Sequence, residues 1–78
     1  MTLEQLREKA RLLPATPGVY LMRDKAGEII YIGKAKALKN RVSSYFAAAA
    51  DHTLKTAQLV SRIDTFDTIF AQSEFDAL

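Results

Sequence analysis

At 78 residues, about half hydrophobic and a quarter charged, the chain has the composition of one soluble globular domain with a thin core, which excludes a disordered tail. The absence of cysteine excludes disulfides, thiolate nucleophiles and cysteine zinc sites, and no stretch suits a signal-peptide core or a bilayer span, so the chain reads as cytoplasmic. The net charge of +2 is unevenly spread: residues 23–45 carry six cations and two acids, residues 51–78 two cations and five acids. The middle is either a local positive face, attracting polyanions over a Debye length of about 8–10 Å, or a solvated helix surface.

In chain order, Thr2 and Gln5 have the form of a capping box, and Leu3, Leu6, Ala10 and Leu13 recur at helical spacing. That helix ends before "PATPG", where Pro14 and Pro17 disfavour helical geometry. "GVYLMRD" and "EIIYIG", rich in β-branched and aromatic residues and separated by "KAG", predict a β-hairpin over about 18–33, with Gly27 taking a left-handed turn conformation. After Gly33 the period changes: Ala35, Leu38, Val42 and Phe46 form one helical stripe, with Lys36, Lys39 and Arg41 around the rest, and "AAAAD" continues or loosely ends that basic helix. Leu54, Ala57 and Val60, with Ser61 or Ile63, suggest another helix to about residue 63. "DTFDTIFA" alternates Phe66, Thr68 and Phe70 with Asp67, Ile69 and Ala71, which suits a third strand over about 66–71 with both faces at least partly covered. Ser73 and Asp76 then have the form of a helix N-cap and its first turn. The fold class is α/β, a three-stranded antiparallel sheet flanked by helices.

With Ala26 and Gly27 as a two-residue turn and Lys25 opposite Glu28, Tyr20 and Tyr31 lie diagonally on one sheet face, within reach of each other. Two tyrosines on a half-buried sheet are ordinarily packing. Their order and spacing point further, because Gly18-Val19-Tyr20, then Tyr31-Ile32-Gly33, then an arginine on the next helix resembles the signature of the GIY-YIG nucleases, with valine for the central isoleucine of the first triplet. The longer run "LPATPGVYLM", "YIGKAKALKNRVSSYF" and "SEFDAL" is similar to the amino-terminal domain of the UvrC family, the nuclease subunits of bacterial nucleotide excision repair, over about Leu12 to Leu78.

The resemblance implies a role for each matching residue. Tyr31 corresponds to the tyrosine that takes the proton from the attacking water, and Tyr20 to one that shares or orients that role; Tyr31 is the preferred base. Lys34 matches a lysine that favours the ionised phenol or contacts water, Arg41 the helix arginine that holds the scissile phosphate, and Tyr45 a further aromatic of the site. The family's metal-binding glutamate is expected on the helix after the third strand, past Leu78, so residues 1–78 read as a nuclease domain cut at the start of its last helix, with no metal ligand inside the chain. The implied cofactor is a divalent ion, Mg2+ or Mn2+, and the implied partners are damaged double-stranded DNA and the UvrB protein. The implied reaction is the 3′-side incision.

The residue types suit that chemistry. A phenol is a poor base until a nearby cation favours its ionised form, and Lys34, read as lying on the turn after Tyr31, is placed to do so. Cleaving a phosphodiester builds negative charge on the phosphoryl group, which an always-protonated planar guanidinium matches at two oxygens. Lys36 and Lys39 read as phosphate contacts or as plain surface charges. Asn40, Ser43 and Ser44 are explained equally by exposed helix polarity, and His52 reads as a cap or surface residue rather than a catalyst. Glu74 and Asp76 read as acids favoured by a helix dipole rather than as ligands. The complete tyrosine, lysine and arginine set favours a nuclease over a noncatalytic DNA- or protein-binding module of the same fold, whereas the missing carboxylate favours the module.

Overall fold

A computed structural model of the chain describes residues 1–47 and 52–72. The expected cap at Ser73, with Glu74 and Asp76, and most of the "AAAAD" run lie outside the described residues. The elements are α1 (Leu3–Arg11), β1 (Gly18–Arg23), β2 (Ile29–Ala35), α2 (Leu38–Phe46), α3 (Leu54–Arg62) and β3 (Thr65–Phe70), the order expected from the sequence. No helix among the described residues is long and apolar enough to cross a membrane. The three strands form one antiparallel sheet in the order β2-β1-β3, so β1, the most regularly half-buried strand, lies at the centre.

α1 begins at the predicted capping box: the Thr2 side chain accepts from the Gln5 backbone N–H, and the Gln5 side chain accepts from the Thr2 N–H. Leu6 and Ala10 are buried, whereas Leu3, expected on the same stripe, is exposed. Two cations of this helix tie it to distant backbone, with Arg7 Nε donating to the Phe46 carbonyl and Lys9 Nζ to the Phe66 carbonyl. Lys9 also sits 4.6 Å from the centroid of the Phe66 ring, within cation–π range.

The hairpin turn differs from the sequence expectation. Asp24 N–H donates to the Glu28 carbonyl and Gly27 N–H to the Asp24 carbonyl, so the loop is the three residues Lys25, Ala26 and Gly27, with Gly27 at φ +81°. The Asp24 carboxylate favours this longer loop by accepting from the N–H groups of Ala26 and Glu28. A bulge then shifts the pairing from Arg23↔Ile29 to Met22↔Tyr31. Turn and bulge compensate, so Tyr20 faces Gly33 and Tyr31 faces Met22, the register that the two-residue turn also implied.

β2 runs two residues beyond Gly33, because Ala35 still pairs with Gly18. Lys34 therefore belongs to the strand, and Lys36 lies in the bend between β2 and α2 rather than on the basic helix. Leu38, Val42 and Phe46 of α2 are fully buried as the stripe predicted, against Tyr20, Met22 and Phe66 of the sheet, with Phe46 and Phe66 stacked at 5.9 Å. α3 departs from its expected stripe: Leu54 and Ala57 are exposed, while Leu59 and Val60 pack against the core and Ile63, its C-cap, is buried. The expectation that both faces of β3 are covered is also corrected. β3 is an edge strand, and of its residues only Phe66 is buried: Ile69 stays exposed because it faces away from the core on one side of the sheet, and Phe70, on the Phe66 face, stays exposed at the end of the strand.

Gly33 is what fits Tyr20 into this sheet. A Cβ built on Gly33 overlaps the ring and hydroxyl of Tyr20, so the phenol lies across β2 only because no side chain stands there. Gly33→Ala is expected to destabilise the domain by about 1–3 kcal/mol, the scale of overpacking. Urea unfolding checks this, and an unchanged midpoint would show that the Tyr20 ring gives way without cost.

Candidate active site

Three phenols meet where β1, β2 and α2 converge. Strand alternation puts Tyr20 and Tyr31 on the helix-covered face, with ring centroids 6.1 Å apart. From the last turn of α2, Tyr45 brings its ring centroid within 5.7 Å of that of Tyr20, and the two hydroxyls hydrogen-bond at 2.8 Å. The environments differ sharply, since Tyr20 is 2% exposed and Tyr31 42%. Burial first, then the hydrogen bond and the proximity of Tyr45 and the nearness of Tyr31, push the Tyr20 phenol well above its ordinary value; the Arg41 charge opposes this without reversing it. Tyr20 is thus held as a neutral phenol able to donate, while Tyr31 is the member of the pair open to solvent.

Arg41 lies one helical turn before Tyr45, so both project toward the same edge of the sheet. A groove of about 470 Å³ runs along β2, lined by Val19, Tyr20, Tyr31, Ile32, Gly33, Lys34 and Arg41. Its charged lining is wholly cationic, suited to a phosphate held beside an exposed phenol.

The predicted residues Tyr20, Tyr31, Lys34 and Arg41 come together in this groove, and Tyr45 joins them through Tyr20. Lys34 does so differently from the expectation. Three residues along one strand, it stands on the opposite sheet face from Tyr31, beside Val19, and reaches the groove from that side. Lys36 and Lys39 are exposed and do not line the groove. Among the described residues, no group of three or more His, Cys, Asp or Glu is placed to hold a metal ion, and no carboxylate lines the groove.

The sequence reading named two further residues without their part in the site. Gly33 supplies the space that Tyr20 occupies, and a glycine inside a strand pattern is itself a sign of close approach. His52 donates through Nε2 to the Tyr45 carbonyl at 2.9 Å, with its ring centroid 6.4 Å from that of Tyr45. It is a cap, as one of its two readings had it, but of the helix that precedes it, and no local pattern announces a contact of that kind.

Comparison with known proteins agrees with this arrangement. The UvrC-like GIY-YIG domain matches residues 16–78. UvrABC system protein C of Desulfitobacterium hafniense is 57% identical over 76 residues, and that of Gloeobacter violaceus 51% over 75, covering 97% and 96% of this chain. The chain spans about 12% of the length of each. Among solved structures, the GIY-YIG N-terminal endonuclease domain of UvrC from Thermotoga maritima, bound to its catalytic divalent cation, magnesium, superposes with a TM-score of 0.81 at 40% identity. The likeness covers 99% of this chain and 81% of that one. Motif, topology and sequence identity agree, and the chain belongs to the family of UvrC-like GIY-YIG domains.

Proposed function

We propose that the chain is the phosphodiester-cleaving domain of a nucleotide excision repair nuclease and makes the 3′-side incision in damaged DNA presented by the UvrB protein. The observation that carries the chemistry is a half-exposed phenol, Tyr31, sharing a cation-lined groove with Arg41 while its neighbour Tyr20 is buried and held neutral. Tyr31 is the phenol open to an attacking water and takes its proton. Tyr20, hydrogen-bonded to Tyr45, fixes the floor of the site and keeps its proton. Arg41 grips the scissile phosphate and offsets the charge that builds there, and Lys34 adds positive charge from the opposite sheet face.

A divalent ion, Mg2+ or Mn2+, belongs to this reading because the Thermotoga maritima domain holds magnesium as its catalytic cation. The described residues of the groove are phenols, cations and apolar groups, a poor match to a hard cation that takes oxygen ligands. The second reading is a noncatalytic DNA- or protein-binding module of the same fold, in which the cation-lined groove only holds phosphate. A nicking assay on damaged DNA with UvrB, using a protein of the relatives' full length that carries this domain, separates the two.

In that assay Tyr31→Phe keeps the ring and removes the hydroxyl, so incision is expected to fall about 10²-fold or more while DNA binding survives. Near-normal incision would hand the role to another group. Arg41→Ala is expected to lower turnover more than affinity, as a transition-state contact does.

The buried phenol gives a pH signature. Because the folded-state pKa of Tyr20 lies above its ordinary value of 10.0, the folded chain binds more protons than the unfolded one at high pH. The stability it contributes is fully present below pH 10 and is lost as the pH rises above it. Thermal melts of the wild type should therefore decline above about pH 10, and Tyr20→Phe should flatten that decline. Parallel profiles would place the ionisable group elsewhere.

Lys36 and Lys39 are proposed as DNA contacts outside the groove. Each replacement by alanine should reduce the logarithmic salt slope of DNA binding by about one. An unchanged slope in the double variant returns them to the solvated surface.

A further inference from the structure

The last turn of α2 carries the hydroxyl that holds Tyr20, yet it is the part of a helix most prone to open. Its final carbonyls have no intrahelical partner, and its C-cap, Ala47, is extended, at φ −64° and ψ 139°. Two side chains from outside the helix take over. Arg7 of α1 donates to the Phe46 carbonyl, and His52, from the segment that leads into α3, donates to the Tyr45 carbonyl. Because a carbonyl only accepts, Nε2 of His52 carries the proton in this contact. The imidazole also lies against the Tyr45 ring at 6.4 Å and an interplanar angle of 32°, so one side chain touches both the backbone and the ring of the same residue. From there the contacts run on to Tyr20 through the 2.8 Å hydroxyl pair and to Tyr31 at 6.1 Å.

We propose that His52 is a positioning residue for the phenol cluster: its Nε2–H bond to the Tyr45 carbonyl holds the end of α2 closed and thereby keeps the Tyr45 hydroxyl on Tyr20. His52 does not line the groove and touches no reacting atom; it acts through Tyr45. The geometry separates its two contacts, since Gln at this position retains an N–H donor without the ring and Phe retains a ring without the donor. The proposal assigns the work to the donor.

This inference rests on the nuclease reading only for its consequence, so its primary test needs no nuclease. In NMR of the tyrosine-labelled 78-residue chain, the Tyr20–Tyr45 hydroxyl pair is read from ring-to-ring Overhauser contacts and from the exchange rate of the hydroxyl protons. His52→Phe is expected to weaken the contacts and to speed hydroxyl exchange about fivefold or more, the scale of one lost neutral hydrogen bond. His52→Gln is expected to leave both close to wild type. A merely structural role would lower the melting temperature and leave the hydroxyl pair intact in the folded population, and that result overturns the proposal. An intact pair in His52→Phe, or a pair lost equally in both variants, overturns it as well. If His52→Phe does not fold, His52→Leu takes its place as the donor-free arm under the same criteria. In the incision assay, His52→Phe should lower turnover with affinity for DNA unchanged, and His52→Gln should restore it. Wild-type inactivity in that assay would speak against the nuclease reading and leave the hydroxyl measurement standing.

Discussion

A ring the size of tyrosine cannot lie flat across a neighbouring strand unless that strand gives up a side chain, and the missing side chain at Gly33 is the condition on which the site rests. Tyr20 projects from the central strand, crosses the space above Gly33 and meets Tyr45 descending from α2. With a methyl group at that point, the phenol would have to turn away from Tyr45 and Tyr31, or β2 would have to part from β1. Both the hydroxyl pair and the floor of the groove follow from one backbone position without a Cβ. The glycine that ends the second triplet of the motif is thus a packing requirement, and the tyrosine it accommodates belongs to the first triplet.

The two sheet tyrosines receive different chemistry from their surroundings alone. Tyr20 is enclosed by β2, α2 and the other two phenols, and burial keeps it neutral. Tyr31 sits two residues earlier than Gly33 on an edge strand of the described sheet and stays open to solvent. The helix above them is shared between stability and site geometry. Leu38, Val42 and Phe46 of α2 are fully buried, while Arg41 and Tyr45, adjacent on the same helix, face the groove and the phenols. A shift of α2 along its axis would unpack the core and misplace both functional side chains together.

Much of the fold was legible because its signals are local: the capping box of α1, the β-branched and aromatic strands, the glycine in the turn and the stripe of Leu38, Val42 and Phe46. The element order and the pairing of Tyr20 with Gly33 follow from those. The turn shows how a correct register can rest on an incorrect turn. The Asp24 carboxylate selects a three-residue loop and a bulge restores the alternation, and neither device changes which residues share a face. What was not legible depends on tertiary contact. The end of β2 is set by Gly18 pairing with Ala35, which takes Lys34 into the strand and Lys36 off the helix. The exposure of Ile69 follows from the core lying on one side of the sheet, and the contact of His52 with the Tyr45 carbonyl, seven residues back, has no local sequence pattern. The motif residues were legible because they lie in two short runs on adjacent elements, whereas the groups that hold them in place are scattered.

The contacts of α1 show how far the cohesion of this fold reaches beyond the segment that the family match marks. The family match begins at residue 16, after α1 has ended. Yet Leu6 and Ala10 belong to the core cluster that contains Phe46 and Phe66, and Arg7 and Lys9 occupy carbonyls at the end of α2 and on β3. α1 behaves as a strap across the two halves of the fold, joining α2, the helix that carries Arg41, to β3. The span of the family match is therefore smaller here than the unit of cohesion, whereas the likeness to the full-length relatives, over 97% of the chain, takes in α1. Excising the matched segment on its own would strip two apolar side chains from the core and leave two backbone acceptors to find water.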